Sequence, residues 1–387
     1  MGRTILMNAG PWLRVPPDGY GGIENVIATM AEGLRARGHR IVLAGVAGST
    51  MPCERTVSAF AEPQFPHIAG PYNANMGIAH AHMQAVVGEL RRAGPEIDVV
   101  HDHLEVVGAA VLAALGEAGP PALQTLHWRL SKHPDFYGGL DPGPRLFFNA
   151  LSERQLAEAP PALAERVLDV IPLAVPVHHF PFSAVKDGPV LVLARITAVK
   201  GCDTAARVCA RLGLPLRIAG PIGPYRSSAE LQAALDAPGG GEIEAAADVA
   251  HYLEYVRPLL DGDRIAWLGA VDGPAKLERL RRARALLCPV HWEEPGATAA
   301  VEALACGTPV IALRRGAYAS IVDHGVTGFL ADDEAGLAEG LQRAGDIDPA
   351  ACRAAAERRF DVPVMAERYE ALYEEVISRS GPMANTA

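Results

Sequence analysis

No CxxC pair joins any of the six cysteines (Cys53, Cys202, Cys209, Cys288, Cys306 and Cys352), and no HExxH or other His/Cys ligand spacing occurs among the 13 histidines. The sequence therefore predicts no metal site and no cofactor. Its cysteines, three of them inside apolar strand or helix patterns, read as reduced small hydrophobes. No apolar run reaches the length of a membrane span, and the opening MGRTILMNAG reads directly as a strand, with no apolar h-region behind a basic start. These absences predict a cytoplasmic protein without membrane insertion. Positive charge is in short supply as well: 35 Lys and Arg face 45 Asp and Glu, a formal net charge of −10. That balance argues against nucleic acid as a partner and leaves room for a local basic pocket.

At 387 residues, 49% apolar and 21% charged, the chain exceeds what one hydrophobic core usually supports, which predicts two domains. Short β-branched runs alternate with helical patterns: TILMNA, a helix from Ile23 to Arg37, RIVLAGV, a helix near 76–93, DVVH, a helix near 105–117, then LQTLH, RLFFNALS and VLDVIP. After a proline-rich stretch, IPLAVPVHHFPFSAVKDGPV, the pattern restarts with VLVLARI, LPLRIAG, RIAWLGA, ALLCPV and PVIAL, again separated by helical segments. Such alternation predicts an α/β fold of two doubly wound, Rossmann-like parallel sheets, whose strand C-termini bind ligands and face each other across a cleft. The boundary is placed near residue 178, giving domains over 1–178 and 179–361. A last helix at about 362–380, with an apolar stripe of Tyr369, Leu372 and Val376, is expected to return to the first domain. Residues 223–246, with APGGG at 237–241, read as a mobile surface loop, and the final SGPMANTA as a frayed end.

The stretch WEEPGATAAVEALACGTPVIA, 292–312, carries Glu294 and Glu302 eight positions apart, and Glu302 is the only charged residue between Glu294 and Arg314. A solvated helix face normally carries more charge. Pro295 suits a helix first turn, and Gly307 with Pro309 suits its end. The N–H groups of Gly296, Ala297 and Thr298 then form a positive helix start suited to phosphate or sugar hydroxyls. The other reading is a loop carboxylate and an ordinary surface glutamate. In LVLARITAVKGCD, Arg195 closes a strand and Lys200 opens a helix with Gly201. Two cations on one such loop suit a diphosphate, or are surface charges. PDGYGGIENV supplies Gly21 and Gly22 after the first strand, where the backbone either approaches a phosphate or simply turns. LQTLHW places His127 at a strand end, facing the cleft or capping, and His103 and Glu105 of HLE admit the same two readings.

Taken in order, these segments resemble the retaining glycosyltransferases of family 4, which have the GT-B fold. The likeness runs from about residue 4 to residue 378 through GYGGIENVIATMAEGLRARGHRIVLAGVAGS, DVVHDHLE, TLHWRL, SERQ, ARITAVKGCD, LRIAG, RIAWLGAV, EPGATAAVEALACGTPVIALRRGA and HGVTGFL. It is nearest to a bacterial subset that includes an antibiotic-pathway enzyme. The resemblance implies metal-independent transfer of a sugar from a nucleotide-diphosphate donor (UDP, GDP or dTDP) to a small-molecule acceptor in specialised metabolism. It implies that Glu294 holds donor-sugar hydroxyls, Glu302 the ribose, and Arg195 and Lys200 the diphosphate. Gly21 and Gly22 approach the phosphates, and His127 lies near the reacting sugar. Three positions depart from the family pattern: Gly296-Ala297-Thr298 stands where Phe-Gly-Leu is usual, Leu173-Ala174 where Asn-Gly is usual, and Ser320 where a glutamate is common. These departures keep two alternatives open, a non-catalytic nucleotide-sugar or carbohydrate binding protein, and a sugar-nucleotide epimerase or pseudo-glycosyltransferase on the same fold.

Overall fold

The computed structural model describes residues 2–19, 21–68 and 70–381, with Tyr72 by its backbone alone. The tail from Pro382 onward, most of the expected frayed end, lies outside the described residues. The chain divides into an N-terminal unit, Met1–Val175 with Val362–Ala387, and a C-terminal unit, Pro176–Asp361.

Seven strands, β1 (Thr4–Asn8), β2 (Arg40–Ala44), β3 (Arg55–Val57), β4 (Val99–Asp102), β5 (Ala122–Thr125), β6 (Leu146–Ala150) and β7 (Val167–Val170), build the N-terminal sheet. Their order is β3-β2-β1-β4-β5-β6-β7. All pairings are parallel, with Ile5 opposite Ile41 on one side and Val99 on the other. Successive β1 residues feed different cores: Ile5 and Met7 pack with Ile27, Met30 and Tyr369, and Leu6 packs with Met83, Val86 and Leu112. Burial on both faces is why these strands read as near-continuous apolar runs. The C-terminal unit repeats the plan with β8 (Val190–Leu193), β9 (Leu216–Ala219), β10 (Ile265–Trp267), β11 (Leu286–Cys288), β12 (Val310–Leu313) and β13 (Gly328–Ala331). Its order is β10-β9-β8-β11-β12-β13, again all parallel.

The helix Val362–Ser380 packs on the helix Gly22–Ala36 of the N-terminal unit. The approach is close: a Cβ on Gly33 would stand 2.7 Å from Val362 Cγ1 and 3.0 Å from Ala366 Cβ. Polar contacts fix its register. His101 of β4 bonds the Tyr373 hydroxyl at 2.7 Å and Thr125 of β5 at 2.8 Å. Thr125 donates to Asn149 of β6 at 2.8 Å, and Asn149 donates to the Tyr369 hydroxyl at 3.1 Å. Each polar group in this dry row has a partner, as burial requires.

Residues 223–246 are not a loop throughout: they contain the helices Ser228–Asp236 and Gly240–Glu244. Ser227 caps the first by accepting from the Glu230 N–H, and Glu230 reaches back to the Arg226 N–H at 2.7 Å. This S-x-x-E start is legible in Ser227-Ser228-Ala229-Glu230. Gly239, at φ +93°, turns the chain between the two helices, and Gly240 opens the second where a Cβ would meet Leu235 O at 2.0 Å. Among the described residues no helix is long and apolar enough to cross a membrane.

Candidate active site

In an open parallel sheet, the loops leaving two adjacent strands part company where the strand order reverses, and the gap at their C-terminal ends receives ligands. In the C-terminal unit that reversal lies between β8 and β11. The loop after β8 carries Lys200, and the loop after β11 carries Glu294, 94 residues away; their side chains form an ion pair. Both are largely buried, at 17% and 13% exposure. Trp292 completes the cluster: its indole Nε1 donates to the same carboxylate oxygen, Oε2, at 2.9 Å, and Lys200 Nζ lies 5.2 Å from its ring centre. Arg195 is exposed just beyond β8.

The helix after β11 starts at Thr298, later than Pro295 suggests, with Ala297 as its N-cap and no side-chain cap. Ala300 and Val301 bond back to Ala297 O, so the open N–H groups belong to the turn Gly296–Ala299. Glu302, inside the helix, accepts from Lys276 Nζ at 2.7 Å. Lys276 lies on the helix Gly273–Arg282 and was not singled out from the sequence. A lone lysine in an otherwise Arg-rich helix was the available signal.

The backbone of Glu294 is clamped from behind. Ala317 N donates to Glu294 O at 2.7 Å, and Gly316 N donates to Glu293 Oε2 at 2.6 Å. Gly316 has φ +50°, and a Cβ there would stand 2.2 Å from Glu294 O. Gly316→Ala is therefore expected to destabilise the C-terminal unit by about 1–3 kcal/mol and displace Glu294. Thermal unfolding of the variant, with a lowered midpoint, checks this.

The N-terminal sheet reverses between β1 and β4. His103 follows β4 and bonds through Nδ1 to His127 Nε2, which follows β5, at 2.8 Å. Burial pushes the His127 imidazole down to about 3 and that of His103 well below its ordinary range, so both are neutral at physiological pH. His127 nonetheless keeps partial exposure. Behind them Asp102 accepts from Asn8 Nδ2 at 2.5 Å and from Gln124, while His82 bonds Asn8 Oδ1 at 2.6 Å. Gly108 is required here, because a Cβ would meet Asp102 Oδ2 at 2.2 Å. Gly21 is the N-cap of the Gly22–Ala36 helix; its missing side chain makes room for Pro17, 2.6 Å from where a Cβ would be, whereas Gly22 faces open space. Glu24 is buried, and desolvation raises its carboxyl above the usual range. Among the described residues no three His, Cys, Asp or Glu side chains converge as a metal site would need.

Residues 179–358, nearly the whole C-terminal unit, match the family described as glycosyl transferases group 1, and residues 20–163 match glycosyltransferase family 4. The two matches fall one in each unit, group 1 in the C-terminal and family 4 in the N-terminal. Over 383 residues it is 28% identical to the phosphatidyl-myo-inositol mannosyltransferase of Mycobacterium leprae, covering 92% of this chain and 93% of that one. A D-inositol 3-phosphate glycosyltransferase of Corynebacterium diphtheriae is 34% identical over 141 residues, 35% of this chain and only 33% of the relative's length. Among solved structures, AviGT4, a glycosyltransferase involved in avilamycin A biosynthesis, is similar with TM-score 0.63 and 24% identity, covering 97% of this chain and 98% of its own. Anabaena HepE, solved with UDP and glucose, is similar with TM-score 0.64 and 17% identity, covering 96% of this chain and 100% of its own. These likenesses are of fold, the GT-B pair of Rossmann-like domains. In the group 1 domain Lys200, Trp292 and Glu294 meet, with Lys276 and Glu302 paired on the helix that follows. His103 and His127 meet in the family 4 domain.

Proposed function

We propose that this glycosyltransferase is a retaining, metal-independent enzyme that moves a sugar from a nucleotide diphosphate to a small-molecule acceptor in antibiotic-type metabolism. The observation that carries the reading is the pair of Lys–Glu contacts, Lys200 with Glu294 and Lys276 with Glu302, beside an uncapped helix start at the β8/β11 reversal. Carboxylates held there accept hydroxyls of sugar and ribose. The cation and the open N–H groups neutralise a diphosphate. HepE's complex with UDP and glucose, on the same fold, supports the donor class.

In the reaction, the bond from the anomeric carbon to the diphosphate oxygen breaks, and the acceptor oxygen bonds to that carbon from the same face. Its proton passes to the departing phosphate. Negative charge grows on the diphosphate as the bond breaks, and Lys200 with Arg195 stabilises it in place of a metal ion. His127, neutral, acts through hydrogen bonding and not as a cation. The family 4 domain receives the acceptor.

Calorimetric titration with UDP, GDP, dTDP and their glucose conjugates tests this directly. One nucleotide is expected to bind selectively, with the same affinity in magnesium as in EDTA. Glu302→Ala should weaken it about tenfold, the worth of a hydrogen bond or two to ribose. Binding of no nucleotide, or an unchanged affinity in Glu302→Ala, would remove the assignment.

A further inference from the structure

The reading above asks two things of Lys200. Its ammonium is bonded to Glu294, and it must also serve a diphosphate that carries far more negative charge than one carboxylate. Three N–H donors can be shared, but the single charge follows the stronger field. Once Lys200 turns toward phosphate, Glu294 loses its charged partner at the moment the donor sugar needs its carboxylate aimed. Trp292 is built to remain. Its indole N–H donates to Oε2, the oxygen Lys200 also holds, at 2.9 Å, and as a neutral donor it is not drawn away by an incoming anion. The same ring lies 5.2 Å from Lys200 Nζ, within the range where an aromatic face attracts an ammonium. The ion therefore has a second seat beside Glu294 and need not leave the site as it turns. The backbone is already held by Ala317 N on Glu294 O and by Gly316 N on the Glu293 carboxylate. Only the side chain of Glu294 is left to be set.

Resting on the donor-site reading, we propose that Trp292 is a positioning residue: it keeps the Glu294 carboxylate aimed at the donor sugar, with Oε1 outward, while Lys200 turns to the diphosphate. Trp292 thereby governs recognition of the sugar and leaves recognition of the nucleotide to Glu302 and the helix start. The indole N–H donates to Glu294, whereas Glu302 has its own partner in Lys276.

The test uses the full chain and compares Trp292→Phe, which keeps a ring beneath Lys200 and removes the N–H, with wild type. Affinities are measured for the nucleoside diphosphate that binds, drawn from UDP, GDP and dTDP, and for its glucose conjugate. The variant is expected to lose about tenfold for the conjugate and less than about twofold for the bare nucleotide. In a Glu294→Ala background the same substitution should cost nothing further, because its effect runs through that carboxylate. A merely structural role would weaken both ligands together and lower the thermal midpoint. Equal losses for both ligands, no loss for either, or a full further loss on top of Glu294→Ala would overturn the positioning role while leaving the donor site intact. Wild type that binds neither nucleotide nor conjugate would overturn the donor-site reading and this inference with it.

Discussion

Acidification from about pH 7.5 to about pH 5.5 is expected to cost the N-terminal unit a few kcal/mol of stability, on the order of 1 kcal/mol for each buried imidazole. The groups that carry most of it are His82, His101 and His103, at 1%, 0% and 3% exposure, and His127 adds less because it keeps partial exposure. Burial depresses the first to about 4, the second to about 3 and the third well below its usual range. A histidine whose folded value lies below its unfolded one contributes its full stability above the unfolded value, roughly 6.5. It loses that contribution as the pH falls from there toward the folded value, because the unfolded chain takes up protons that the folded one refuses. Asp102 opposes the trend. Desolvation raises it to about 6, so its folded form gains a proton first and recovers about 1 kcal/mol over the same range. Three imidazoles outweigh one carboxyl. Hydrogen exchange of the β4 and β5 amides across this range would read the loss, and a flat profile would mean that the histidines protonate without opening the unit.

Lys200→Ala is expected to lower kcat by about 10²–10³-fold, the usual cost of removing one preorganised donor aimed at developing charge. The donor KM should move much less, because the diphosphate carries more charge in the transition state than in the bound donor, and an interaction that grows along the reaction coordinate shows in turnover. Lys200→Arg separates charge from placement. It keeps the cation but offers a planar fork where a compact ammonium contacts both Glu294 and the Trp292 ring, so partial recovery is expected. Steady-state kinetics on the nucleotide sugar identified by calorimetry checks both. A rise in KM with kcat retained would move Lys200 from stabilising the leaving group to simple binding.

Much of the architecture was legible because it rests on local rules. Short apolar runs such as RIVLA and VIAL, rich in β-branched residues and separated by helical periods, read as parallel strands covered on both faces, and they are strands. Two short strands, β3 and β13, escaped: the edge strand RTV holds a single apolar residue, and GFLA opens on glycine with no β-branched residue to mark it. The paired helices at 228–244 escaped because the glycines at the turn and at the start of the second helix read as a loop, although the S-x-x-E start was present. At the candidate site, the isolation of Glu302 in an apolar helix and the cations on one strand-to-helix loop were visible, for a charge where the pattern demands none needs a reason.

The chain by itself thus determined where strands and helices form and which polar residues stand out against them, because propensity and periodicity act between near neighbours. Only the tertiary structure decided who meets whom. Strand order sets β8 beside β11 and so brings Lys200 to Glu294 across 94 positions. Packing of the Gly273–Arg282 helix on the Thr298–Ala305 helix hands Lys276 to Glu302. A buried row across three strands gives His101 to a tyrosine 272 residues away. Hydrogen bonds and ion pairs act over a few ångströms, and nothing in the linear pattern encodes which distant segments burial will press within that reach.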